Sequence, residues 1–152
     1  MRGLGYLEIH ISMRQDKDTK LKQARNEAMY RLYVKGLEEG RISNMRTAGE
    51  FVRRQPAPSY FISSHSASLL IGKIDQLISV ILPNEGYRAR ALTIYGEYLR
   101  YLREHPDCGL SREAVLNLIV EQPAPEFFVD SETARQILQN EVEKVRSAKW
   151  NG

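Results

Sequence analysis

The chain has little with which to staple or anchor itself. Its one cysteine, Cys108, excludes an internal disulfide, and such usage suits a reducing cytoplasm, the expected location. No run of about 18 apolar residues occurs, so no membrane span is expected. Met1 to Ser12 has neither a long apolar core nor a small-residue cleavage site, so it does not read as a secretory signal. Histidine is scarce. His10, His65 and His105 have no companions at ligand spacing, and Cys108 sits in His-Pro-Asp-Cys-Gly, a turn composition. Phosphate loops, zinc-ligand spacings and nucleophile elbows are missing. A non-enzymatic protein is therefore expected, with no catalytic residue, metal or cofactor.

What is present is an ordinary globular composition. The 152 residues are 42% hydrophobic and 27% charged, enough to fold around one core without a metal or disulfide. The net charge of +3 is unevenly placed. Residues 1–82 carry 13 Lys or Arg against 8 Asp or Glu, whereas residues 83–152 carry 9 against 11.

The dominant signal is internal repetition. At an offset of 65, Ala24-Arg25 matches Ala89-Arg90, Tyr30 matches Tyr95, Tyr33 matches Tyr98, Leu37 matches Leu102 and Glu39 matches Glu104. After a loop two residues longer in the second copy, the offset becomes 67. Gln55-Pro56-Ala57-Pro58 then matches Gln122-Pro123-Ala124-Pro125, followed by Phe61 with Phe128, Ser64 with Ser131 and Ala67 with Ala134. Such repeats usually bury their apolar faces on one another. The expected fold is all-α, a tandem duplication of a three-helix, helix-turn-helix-like unit packed with pseudo-twofold symmetry. Its divisions are an N-terminal arm or leader (1–18), a first repeat (19–82) and a second (83–152).

Each repeat reads as three helices. The first spans about Thr19 to Glu39, and its copy about Gly86 to Glu104. The second starts at the cap residue Asn44 or Ser111 and stops at the prolines. The third starts after Ser63 or Asp130. Ala67, Leu70, Ile71, Ile74, Ile78 and Ile81 line one side of the first copy, with Leu69, Leu77 and Val80 opposite, so this helix is expected to be covered nearly all round. Its counterpart is amphipathic and ends near Trp150. Upstream, Leu7, Ile9 and Ile11 alternate with Glu8, His10 and Ser12 at strand period. That stretch could pair across a dimer, form an arm, or be leader ahead of a start at Met13, the last two being favoured.

Three features bear on function. The order of helices in each unit suggests helix-turn-helix DNA binding, although the connector of about nine residues exceeds the usual three or four. Nucleic-acid contacts would come from Arg41, Arg46, Arg53, Arg54 and Lys73 around the first unit, with Ser64, His65 and Ser66 at a helix start suited to phosphate oxygens. Arg53 and Arg54 are expected to be largely solvated. Capping is the competing reading of the serines. The proline-aromatic segments, Pro56 to Ile62 and Pro123 to Val129, read as rigid connectors whose aromatics Tyr60, Phe61, Phe127 and Phe128 plug the core, or as a ledge for a base or peptide. Tyr30, Tyr33, Tyr95, Tyr98 and Tyr101 read as a seam between units, ring buried and hydroxyl wet, or as a partner surface.

The segment Pro-Ala-Pro-Ser-Tyr-Phe-Ile-Ser resembles a Pro-Ala-Pro-x-Phe-Tyr-Val-Ser motif of small uncharacterised helical bacterial proteins. The resemblance covers about eight residues per unit. The second copy departs from it at Phe127-Phe128-Val129-Asp130. It implies a bacterial source and no particular activity. The resulting expectation is a nucleic-acid-associated bacterial protein, DNA-binding and regulatory, using the basic first repeat. The alternative is a protein-interaction or scaffold protein. Pairing of the arginines with Glu38, Glu39 or Glu50 would favour that alternative.

Overall fold

The computed structural model describes the backbone of residues 2–75 and 85–151, and the side chains of 17–75 and 86–149. Six helices follow one another: α1 (Arg2–Glu38), α2 (Met45–Arg53), α3 (Ser64–Asp75), α4 (Glu85–Glu104), α5 (Arg112–Val120) and α6 (Ser131–Asn151). The described residues form no strand. Among them no helix is long and apolar enough to cross a membrane, and no group of acidic, histidine or cysteine side chains could hold a metal.

Local chemistry sets most boundaries. Asn44 and Thr47 form a capping box, with the Asn44 carboxamide oxygen accepting from the Thr47 N–H at 2.9 Å. Ser111, Ser63 and Asp130 accept from the N–H groups of Ala114, Ser66 and Thr133 at 3.2, 3.1 and 2.6 Å. These bonds satisfy amides that a helix start leaves without partners. α1 ends in a Schellman turn. Arg41 N–H donates to the Gly36 carbonyl (2.9 Å) and Gly40 N–H to that of Leu37 (3.2 Å), while Gly40 takes the left-handed φ of 70° that the turn requires.

The strand period at Leu7, Ile9 and Ile11 is overturned, because the backbone there belongs to α1. Five alternating residues are too few to separate the two periods, and Leu4, Leu7 and Ile11 also fit helical spacing. A lone strand leaves its amides unpaired, whereas a helix pairs its own.

Packing crosses the midpoint of the chain. α2 lies principally on α6, and α3 on α5; α1 packs on α6 and α2, and α4 on α5 and α3. This corrects the helix-turn-helix expectation, since α2 and α3 are not each other's main neighbours. The long connector carries the chain across to the opposite half. Met29, Val52, Ile71, Ile94, Val115, Leu116 and Leu138 are the largest side chains wholly buried in the shared core. At the α2–α6 crossing, Gly49 is buried. A Cβ there would lie 2.9 Å from both the Arg135 amide nitrogen and the Ser131 carbonyl oxygen, so only glycine allows this approach.

α3 is not covered all round. Ala67 and Ile71 are buried, but Leu69 is 56% exposed. Leu77, Ile78, Val80 and Ile81 lie outside the described residues. The tyrosines meet their expectation in part. Tyr33, Tyr95, Tyr98 and Tyr101 are partly buried against the core, and the Tyr95 hydroxyl donates to Asp75 Oδ1 at 3.0 Å, tying α4 to α3.

The connectors meet at the centre. Ala57 and Ala124 exchange N–H to carbonyl bonds, both 2.9 Å, as an isolated antiparallel bridge. Tyr60 N–H reaches the Val120 carbonyl (3.1 Å), and Phe127 N–H that of Arg53 (3.2 Å). Tyr60 stacks on Phe128 and Phe61 on Phe127, with centroids 5.9 and 6.2 Å apart. Only Tyr60 and Phe127 plug the core, while Phe61 and Phe128 are half-buried. These last two hold φ of 53° and 58°, a left-handed backbone unfavourable for aromatic residues.

Candidate functional site

The expected basic surface is largely neutralised from within. Glu50, on α2, receives Arg53 Nε at 2.8 Å on one oxygen and Arg53 Nη2 at 2.9 Å on the other. Arg54 Nη2 lies 2.6 Å from the second oxygen, and the Ser131 hydroxyl donates to the first. Arg53 also donates to the Ser131 hydroxyl oxygen at 3.0 Å. The Arg53 hydrogen bond, then that of Ser131, hold the Glu50 carboxyl at about 2, well below its ordinary range. Arg53 is therefore not solvated as expected. Its side chain is only 24% exposed, clamped between α2 and the start of α6. Arg41 pairs with Glu39 at 3.3 Å.

The remaining predicted residues are scattered over other surfaces. Arg46 and Lys73 are exposed on α2 and α3, and the field of Arg46 acts on Glu132. Ser64, His65 and Ser66 are half-exposed. Ser66 closes the cap of α3, its N–H and hydroxyl both bonded to the Ser63 hydroxyl. Ser64 lines a small hollow with Lys17, Ser59, Asn117 and Glu121, whereas Ser66 faces a different one.

Two arrangements escaped the sequence reading. The first is the outer face of α4, where Arg88, Leu92, Gly96, Leu99 and Arg103 are all exposed. Leu92 and Leu99, one heptad apart, are 50% and 44% exposed. The result is an apolar strip about 10 Å long, from 1.5 Å per residue, with a basic residue one turn beyond each leucine. The second is a cleft between α1 and α4 that Arg25 and Arg90 line together with aromatics of the connectors. Two adjoining hollows of about 220 and 240 Å³ share Lys22, Arg25, Tyr87 and Arg90 as lining. The available signal was the identity of Ala24-Arg25 and Ala89-Arg90 at an offset of 65 residues. A larger hollow of about 550 Å³ combines Arg53 with Glu126, Asp130 and Glu132, a mixed-sign rim unsuited to a phosphate backbone. No family model matches the chain, and no curated protein or solved structure is significantly similar to it.

Proposed function

We propose that the protein is a non-enzymatic interaction module, built by tandem duplication of a three-helix unit, whose α4 outer face docks an amphipathic helix of a partner protein. The observation that carries this reading is the strip of Leu92 and Leu99, open around Gly96 and basic at both ends. Apart from its chain neighbours and the backbone of its own helix, nothing lies within 4 Å of a Cβ built at Gly96, so a partner side chain can settle between the leucines. Leucines seven residues apart on one exposed helix face suit packing against a second helix with apolar residues at heptad spacing, and Arg88 and Arg103 favour acidic residues at the partner's ends. In this reading the repeats are residues 19–82 and 83–152, and residues 2–18 prolong the first helix of the first repeat.

Pseudo-twofold duplication is supported by the contacts. Exchanging α1 with α4, α2 with α5 and α3 with α6 maps the helix pairings onto themselves. The same exchange maps the Ala57–Ala124 bridge onto itself and turns the Tyr60–Phe128 stack into the Phe127–Phe61 stack. Nucleic-acid association remains the second reading, favoured by the exposure of Arg46, Arg54 and Lys73 on the first repeat.

One titration series separates the two. An acidic amphipathic helical peptide and a random DNA duplex are each titrated against the full chain at several salt concentrations. Peptide binding that the double variant Leu92→Glu, Leu99→Glu abolishes supports docking on α4. Steeply salt-dependent duplex binding that survives this variant, and falls when Arg46 and Lys73 become Glu, supports the second reading and overturns the first.

A further inference from the structure

We propose that the cleft between α1 and α4 is a binding site for a small organic phosphate monoester, its phosphate held by Arg25, Arg90 and Lys22. The site is distinct from the α4 outer strip and does not depend on it.

Arg25 projects from α1 and Arg90 from α4. Arg25 Nε donates to Asn26 Oδ1 at 3.1 Å. The Arg90 guanidinium lies 5.1 Å from the centre of the Tyr87 ring, and its Nε is buried with no hydrogen-bond partner among the described residues. An unsatisfied buried donor on a cation is costly. The cost is compounded because a second guanidinium lies nearby. Burial lowers the pKa of both arginines, Tyr87 opposes this, and the charge of Arg25 lowers Arg90 further.

The acidic neighbours do not compensate. Asp18 lines one hollow and Asp130 the other, yet neither forms an ion pair with Arg25 or Arg90 among the described residues. Asp130 is engaged in capping α6. Two arginines that share a cleft and have no carboxylate paired with them among the described residues are suited to an incoming anion.

Phosphate fits the donor set better than carboxylate. Its terminal oxygens can accept from two guanidinium forks and an ammonium, and its double charge answers theirs. The walls suit an organic body. Phe61 and Ile62 line one hollow, and Phe127, Phe128 and Val129 the other, with Tyr87 in both. Each hollow is smaller than the roughly 300–1,000 Å³ of drug-sized pockets, which limits the ligand to a compact one. The strained backbones of Phe61 and Phe128 sit in these walls, and such strain clusters at ligand sites.

The test is calorimetric titration of the full chain with phenyl phosphate, inorganic phosphate and benzoate. Phenyl phosphate should bind saturably, roughly tenfold or more tighter than either comparator, each of which lacks one half of the recognition. Arg25→Gln and Arg90→Gln should each weaken it by about tenfold or more, while Arg46→Gln leaves it unchanged. Without ligand, Arg90→Gln should melt no lower than the parent, because it removes an uncompensated buried charge. Arg90→Lys, which keeps the charge without the fork, provides a second variant if the glutamine form does not fold, and should also bind more weakly. Binding that does not saturate by about 10 mM overturns the proposal, as does affinity unchanged in both the Arg25 and Arg90 variants. Equal affinity for inorganic and phenyl phosphate overturns the ester assignment.

Discussion

Replacing Gly49 by alanine tests the close crossing of α2 and α6. In a solvent-exposed helix interior, the change from glycine to alanine stabilises by about 1 kcal/mol through backbone entropy. At Gly49 the added methyl meets backbone atoms of α6, the Arg135 nitrogen and Ser131 carbonyl oxygen, both at 2.9 Å. No rotamer change can relieve a backbone contact, so the helices must separate. Forcing a methyl into a packed site costs about 1–3 kcal/mol. Gly96, also within a helix, has open space where its Cβ would lie and provides the control. The propensity gain cancels between the two variants, leaving the steric cost alone. Gly49→Ala should therefore be about 1–3 kcal/mol less stable than Gly96→Ala, a separation of several degrees in Tm for a chain of this size. Urea unfolding of the parent and both variants measures it. Equal stability of the two alanine variants would refute the claim that the α2–α6 distance depends on glycine.

Three other perturbations follow from the same contacts. Glu50 is held at about 2 when folded, against an ordinary 4.5, so its contribution is complete above 4.5 and lost as pH falls through 2; Glu50→Gln should flatten that part of the acid-unfolding profile. Arg53→Gln should destabilise by about 0.5–1.5 kcal/mol in denaturant unfolding, because the hydrogen bonds that join α2 to Ser131 at the start of α6 are lost, whereas Arg54→Gln, more exposed, should change it by less than about 0.5 kcal/mol. Ala57→Pro removes the N–H that donates to Ala124 and should cost at least about 1 kcal/mol, read as a lower urea midpoint.

Helix starts were legible because capping is local. Asn44, Ser63, Ser111 and Asp130 mark the starts of α2, α3, α5 and α6 within the sequence itself. The start of α1 was not, because period-2 and helical spacings coincide over so short a stretch as Leu7 to Ile11. The side of α3 carrying Leu69 could not be placed from periodicity, which says that a face is apolar but not whether a neighbour covers it. The basic surface failed for a related reason. Glu50 lies three and four residues before Arg53 and Arg54, a spacing at which helix side chains meet, but the part played by Ser131 depends on which helix crosses α2. Arg25 and Arg90 are brought together only by tertiary structure, 65 residues apart, and their repeated position was their sole trace in the sequence.

Because α2 rests on α6 and α3 on α5, the chain midpoint is not a border between two independently stable parts. A peptide ending at residue 82 would expose the faces that α5 and α6 normally cover, and one beginning at residue 83 would lack α2 and α3. Each fragment alone should be poorly structured, yet each carries the complement the other needs. Mixed in equal amounts, they should reassemble without a covalent link, with a midpoint that rises with protein concentration.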